Sequence, residues 1–382
     1  MRPDDPFYIM FTSGSTGAPK GVVITLDCLT MFLNWMLAEQ SFTEREETFL
    51  NQVPYSFDVS FMDTFTSLLT GGTVWSITRD EIANPKQLYS SLAASGVTTW
   101  VSTPSFAQMC LVEKSFGPAM LPHVRRFLFC GETLAPRVAS QLLDRFPNAQ
   151  VWNTYGPTEA TVATTSVLVD RELLSRYASL PIGSPMPGSQ IVIMDNMQRE
   201  VAPGERGEIV IVGRHVSPGY LGRLDLTEKV FFTRLPLLFG EGRGEGSLVT
   251  PPNGERAYRT GDEGHYQDGL LFFDGRLDHQ IKLHGYRIEL GDIEANLQAL
   301  SAVRDAVVLP IKKEGQVESL AAFVILQDVQ SASDFEISQA LRTSLAERIP
   351  AYMIPRKFKF LEAFPMTANG KADRRKLAEM LA

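Results

Sequence analysis

The chain has 382 residues, of which 44% are apolar, and a formal net charge of −8. That length exceeds what one core usually organises and suits an enzyme of more than one domain. The acidic balance and the lack of any basic run exclude a nucleic-acid binder, which needs cations against phosphates.

Taken in chain order, the first signal is an apolar run, Phe7 to Phe11, followed by Thr12-Ser13-Gly14-Ser15-Thr16-Gly17-Ala18-Pro19-Lys20-Gly21 and a second strand-like run, Val22 to Ile24. Glycines let a backbone turn sharply and point its N–H groups at an anion, while Thr12, Ser13, Ser15, Thr16 and Lys20 add side-chain donors. These residues form a candidate phosphate cradle. It is not the P-loop of nucleotide triphosphatases, which needs Gly-Lys-Ser/Thr at a helix start, because Lys20 stands between Pro19 and Gly21. The most apolar helical stretch, Leu26 to Leu37, contains Asp27 and Asn34 and falls short of the roughly 20 residues a membrane span needs. No membrane insertion is expected. Three cysteines make no disulfide framework, so the expected location is the reducing cytoplasm.

From Thr48 to Asn153, short β-rich runs (Thr48–Asn51, Thr73–Ile77, Thr98–Val101, Val124–Phe129, Val151–Asn153) alternate with helical segments such as Pro85–Ala94 and Pro136–Phe146. That alternation predicts an α/β fold with a mostly parallel sheet. Ligands bind beyond the carboxyl ends of such strands, where Cys130-Gly131-Glu132 and Thr154-Tyr155-Gly156 are expected. From Pro181 to about Asp274 short strands with Gly/Pro turns predict a small antiparallel barrel or distorted sheet. The Gly-rich patch Phe239 to Gly246 reads as a mobile loop without assigned function. A final α+β unit follows, with helices over Leu290–Leu300 and Asp334–Glu347 and strands over Ala306–Ile311, Leu320–Leu326 and Lys357–Leu361. The expected domains are 1–277 and 278–382.

Five motifs in order carry a resemblance. Thr12 to Gly21, Asn153-Thr-Tyr-Gly-Pro-Thr-Glu159, Tyr258-Arg-Thr-Gly-Asp262, Gly275-Arg-Leu-Asp278 with Lys282-Leu-His-Gly-Tyr-Arg287, and Asn369-Gly-Lys371 resemble those of the adenylate-forming enzymes: acyl-CoA synthetases, luciferases and peptide-synthetase adenylation domains. Phe57-Asp58-Val59-Ser60, Phe127 to Glu132 and Tyr352 to Arg356 look most like the branch that activates D-alanine and loads it on a carrier protein. The likeness runs from Phe7 to the C-terminus, and the family's N-terminal portion of more than a hundred residues is expected to be missing.

The resemblance implies an adenylate-forming fold with a large domain, a small β-barrel-like subdomain and a mobile C-terminal domain. It implies that ATP and D-alanine give D-alanyl-AMP and pyrophosphate, and that the phosphopantetheine thiol of a carrier protein then takes the acyl group, for D-alanylation of teichoic acids. Thr12, Ser13, Gly14, Ser15, Thr16, Gly17 and Lys20 would hold the β- and γ-phosphates. Adenine would stack on Tyr155 with Gly131 and Glu132 beside the base, Asn153, Thr154 and Gly156 would also contact ATP, Thr158 would donate to the α-phosphate, and Glu159 would ligate Mg²⁺. Asp262 would accept from the ribose hydroxyls, with Arg276 as a further contact. Lys371 is expected to stabilise charge in adenylation, since that step needs a cation brought in from another element. Asp278 is the expected hinge of a domain rotation that brings Lys282, Gly285 and Tyr286 forward for thioester formation.

Asp58 is expected to pair with the substrate ammonium, which a fatty acid lacks, although Asp at that place also suits a helix N-terminus. Cys130 and Val162 complete the substrate set, Cys130 by filling space rather than by thiolate chemistry. Two other readings stand beside this one: an adenylation domain for another small amino acid, and a truncated nucleotide-binding fragment without turnover.

Overall fold

The inner parallel strands are buried on both faces, so their alternation sorts side chains between two cores, whereas the edge strand Thr73–Ser76 is only partly buried. The computed structural model describes residues 1–12, 19–42, 46–234, 255–277, 280–283, 286–313, 316–327, 332–366 and 372–381. They divide into two compact units, the first made by Met1–Phe11 and Lys20–Leu277 and the second containing Asp278–Ala382. The phosphate-loop residues Ser13 to Gly17, the Gly-rich patch, Asp278, Gly285 and Lys371 lie outside the described residues.

The first unit is built on a seven-stranded sheet in the order Thr73–Ser76, Thr48–Asn51, Thr99–Ser102, Arg126–Phe129, Gln150–Tyr155, Thr165–Val169, Ser184–Pro185. The first five strands are parallel and the last two antiparallel. Phe49, Val101, Leu128 and Cys130 join the core beneath helices Leu26–Gln40 and Ser60–Thr70, which includes Phe32, Met36 and Met62. Leu50, Trp100, Phe127 and Phe129 face the opposite core with Phe106, Phe116 and Leu142. The period of two therefore puts Cys130 on the same face as Val59 and Met62.

Strand Gln150–Tyr155 runs two residues past the expected Asn153, because Thr154 and Tyr155 pair with Ser166 and Thr165 of the antiparallel neighbour. The strand expected from Val124 begins only at Arg126, and helix Leu26–Gln40 outlasts its apolar stretch to end at Ser41 in the left-handed conformation, φ 46°. Of the two expected forms, barrel or distorted sheet, the second is found: an antiparallel sheet of Ser189–Met194, Gly207–Gly213, Glu255–Gln267 and Phe231–Arg234, with Leu270–Arg276 also on Glu255–Gln267. It does not close among the described residues, because the 13-residue strand Glu255–Gln267 divides one edge between two partners. A bridge from Gly183 to Leu271 ties this sheet to the end of the large one. That tie lets distant residues meet beside Tyr155. A third sheet joins Pro6–Thr12, Lys20–Thr25 and Gly219–Tyr220.

In the second unit Val303–Lys313 and Gln316–Leu326 form an antiparallel pair, with Lys357–Phe360 parallel to the latter. Helices Leu290–Gln298 and Asp334–Ala346 supply Ile293, Leu297, Ile337 and Leu341 to one face, and Phe364 and Leu377 cover the other. Lys282 lies in a hairpin, Gln280–Leu283 with Tyr286–Glu289, and the Tyr286 ring stacks on Tyr352 at 3.7 Å.

Candidate active site

Several expected site residues converge at the carboxyl edge of the parallel strands, as the chain direction of a parallel sheet requires. Tyr155, at the end of its strand and 6% exposed, donates its phenol proton to Asp262 Oδ2 at 2.6 Å. Arg276 donates to Asp262 Oδ1, also at 2.6 Å, and to the Thr260 carbonyl at 3.1 Å. Asp262 is 2% exposed, its carboxylate is held by these two donors, and its backbone N–H donates to Thr260 Oγ1 at 2.9 Å. Burial first, then the Asp262 charge, pushes the Tyr155 phenol well above its usual range, and it remains a donor at every physiological pH.

Glu159 is fully buried in a single 3₁₀ turn, Thr158–Ala160, and accepts from the Tyr220 hydroxyl at 2.9 Å. The ammonium of Lys20, itself 9% exposed, lies over the Tyr220 ring 5.1 Å from its centre. Tyr220 thus connects the lysine of the phosphate loop to the proposed metal carboxylate. No local sequence pattern marks this tyrosine, because its position depends on Gly219–Tyr220 pairing with Val22 and Val23.

The expected substrate residues also meet. The Cys130 thiol donates to the Val162 carbonyl at 3.6 Å. Gly131, at φ 92°, has Thr103 and Val59 methyls each 3.8 Å from where a Cβ would stand, which places Cys130-Gly131 beside the turn that carries Asp58. Asp58 is 7% exposed and precedes helix Ser60–Thr70, its carbonyl accepting from the Phe61 N–H at 2.8 Å. Burial and then the Asp58 carboxylate push the Tyr8 phenol well up, a sign that these two side chains are neighbours. At Gly156 only glycine fits, since a Cβ there would lie 2.5 Å from Ala163 Cα.

Other expected residues act as scaffold in the described contacts. Thr154 Oγ1 donates to the Phe129 carbonyl and Asn153 Nδ2 to the Pro181 carbonyl, both at 2.8 Å, so these side chains brace strands. Glu132 accepts from the Ser105 N–H at 3.1 Å and from its hydroxyl, at the start of helix Pro104–Cys110. Thr158, half-buried, gives its carbonyl to the Thr161 N–H at 3.1 Å. Sequence reasoning missed Asp63, which is fully buried and takes Asn51 Nδ2 at 3.2 Å on both carboxyl oxygens. A signal existed, because Asp63 falls at helical spacing with the buried Ser60, Thr66, Ser67 and Thr70. Among the described residues no group of three or more His, Cys, Asp or Glu side chains is placed to hold a metal.

Comparison with known proteins adds to this geometry. The sequence profile of the AMP-binding enzymes matches residues 1–221, and that of the AMP-binding enzyme C-terminal domain matches residues 292–371. A D-alanine--D-alanyl carrier protein ligase of Bacillus cereus (strain G9842) is 50% identical over 377 residues, covering 99% of this chain and 71% of the relative. The same-named protein of Bacillus anthracis is 49% identical with the same coverage. Among solved structures, the Vibrio cholerae adenylation domain AlmE with glycyl-adenosine-5'-phosphate superposes with a TM-score of 0.83 at 24% identity, over 100% of this chain and 67% of that one, a likeness of fold. PA1221, an NRPS protein containing adenylation and PCP domains, reaches 0.79 at 29% identity, over 100% of this chain and 61% of that one.

Proposed function

The chain belongs to the AMP-binding enzymes, and from that premise we propose that it activates D-alanine with ATP and transfers the D-alanyl group to a carrier protein. The single observation that carries this reading is 50% identity to a D-alanine--D-alanyl carrier protein ligase over 99% of the chain. In the first step a carboxylate oxygen of D-alanine attacks the α-phosphorus, a P–O bond forms, the bond to the β-phosphate breaks and pyrophosphate leaves. In the second step the phosphopantetheine sulfur attacks the acyl carbon, the C–O bond to AMP breaks, and the thiol proton goes to solvent.

Asp262, fixed by Tyr155 and Arg276, accepts from the ribose hydroxyls, and pre-positioning it lowers the ordering cost of binding nucleotide. Lys20 and Thr158 serve the phosphates, with the loop Thr12 to Gly17. Asp58 takes the substrate ammonium, and Cys130 with Val162 limits the side-chain space. Lys371 stabilises charge in adenylation, Lys282 acts in thioester formation, and Asp278 is the hinge between the two steps. Mg²⁺ fits the donor set, because this ion commonly takes one or two protein carboxylates plus substrate phosphates and Glu159 offers one hard carboxylate beside Lys20 and Tyr220. When bound it offsets triphosphate charge. No helix among the described residues is long and apolar enough to cross a membrane. Because the proposed reaction consumes ATP, the cytoplasm is the location this reading supports.

ATP–pyrophosphate exchange with D-alanine, L-alanine, glycine and a fatty acid tests this function. D-Alanine should exchange fastest. A faster rate with L-alanine or glycine would replace the substrate, and exchange with none of them would overturn the ligase reading.

A further inference from the structure

Thr161 and Val162 are consecutive β-branched residues with left-handed backbones, φ 55° and 66°. Branched side chains avoid this region, so the pair persists only because its surroundings over-determine it. The turn is buried throughout, with Thr161, Val162, Ala163 and Thr164 each at most 1% exposed. Its front is the candidate acyl pocket, where the Val162 carbonyl accepts from the Cys130 thiol. Behind it stands the segment His215 to Ser217. Thr161 Oγ1 donates to the His215 carbonyl at 2.7 Å, Thr164 Oγ1 lies 3.2 Å from His215 Nε2, and the Ser217 N–H donates to the Glu159 carbonyl at 2.8 Å. Burial, and then the Arg256 charge, lowers the His215 imidazole to about 3, so the ring is neutral. A neutral imidazole suits this enclosed place, since it forms a hydrogen bond there without a buried charge.

We infer that His215, together with the Thr161 and Thr164 hydroxyls, is a positioning residue that holds the left-handed Thr161–Val162 turn and so sets the wall of the acyl pocket opposite Cys130. The inference rests on the proposed function for the identity of that pocket. It separates the two halves of the adenylate: the side-chain contacts of the brace, from Thr161 and Thr164 to His215, lie behind the acyl wall, whereas the nucleotide is held through Asp262 by Tyr155 and Arg276.

The test measures binding rather than turnover. Calorimetry gives Kd for AMP and for non-hydrolysable D-alanyl, L-alanyl and glycyl sulfamoyl-adenosines, first with the unaltered chain and then with His215→Ala, His215→Gln and Thr164→Val. For the analogue the unaltered chain binds most tightly, His215→Ala and Thr164→Val should weaken binding about tenfold, as loss of one buried hydrogen bond predicts. AMP should be affected less than about twofold by the same changes, and His215→Gln, which keeps a polar nitrogen near the Nε2 position, should recover most of the loss. Thr164→Val keeps the side-chain shape and decides the matter if His215→Ala fails to fold. Equal weakening of AMP and analogue, or full analogue affinity in folded Thr164→Val, would overturn the inference. If the unaltered chain prefers the L-alanyl or glycyl analogue, the D-alanine reading fails while the same comparison still decides the role of His215.

Discussion

Asp63→Asn isolates the effect of a buried carboxyl beside the substrate loop. Asp63 has no exposed surface, takes Asn51 Nδ2 on both oxygens at 3.2 Å and accepts from Thr64 Oγ1 at 2.8 Å. Asn51 Nδ2 also reaches the Val53 carbonyl at 3.3 Å, so the cluster pins the start of the segment that leads to Asp58. Burial raises the Asp63 carboxyl from 3.8 to about 8. A raised folded value means that the protonated form is the one compatible with the fold. Its stabilising contribution is full below about pH 4 and is lost as pH rises through 8. With about 1.4 kcal/mol for each pH unit, a rise of roughly four units sets an upper limit of about 5 kcal/mol. Local relaxation and water entry reduce this to roughly 2–4 kcal/mol. Asparagine keeps the shape and has no proton to lose, so Asp63→Asn should gain stability relative to the unaltered protein as pH rises from about 5 to 8. Urea unfolding of both proteins across that range reads the difference. Parallel stability curves would refute the claim that Asp63 is neutral in the folded protein.

The remaining predictions concern the reaction. Tyr155→Phe removes the 2.6 Å donor to Asp262, a bond to a charged group worth about 1.5–3 kcal/mol, and should raise KM for ATP at least tenfold while leaving that for D-alanine near its original value; an unchanged ATP response would detach Asp262 from the nucleotide. Lys371→Ala should abolish adenylate formation yet still transfer from prepared D-alanyl-AMP, and equal loss of both half-reactions would remove its assignment. Lys282→Ala should show the reverse pattern, sparing pyrophosphate exchange and slowing loading of the carrier protein. Asp58→Ala should weaken D- and L-alanine together by on the order of 3–5 kcal/mol, the usual cost of removing a buried charge's partner. Cys130→Ala should instead favour L-alanine within the roughly 10–200-fold range that one methyl supports; kcat/KM for both enantiomers separates the two effects.

Much of the architecture is legible locally. Strand Thr48–Asn51 and helix Pro85–Ala94 form over the expected residues, because burial on a strand or helix repeats with a short period written in adjacent side chains. The motifs around Lys20, Tyr155 and Asp262 likewise stand out in the chain as glycine-rich or strand-end segments. Their partnerships do not. Tyr155 meets Asp262 across 107 residues, and Glu159 meets Tyr220 across 61, through the bridge from Gly183 to Leu271 and the pairing of Gly219–Tyr220 with Val22 and Val23. No period within the sequence encodes those separations. The left-handed turn at Thr161–Val162 is still less legible, since its residues prefer extended backbone and contacts with Cys130, His215 and the carbonyls of Tyr155 and Thr158 hold them otherwise. Sequence alone therefore determined which elements form and which motifs they carry. Tertiary structure decided which side chains share a site, because strand order and packing, rather than local preference, bring distant residues within hydrogen-bond reach.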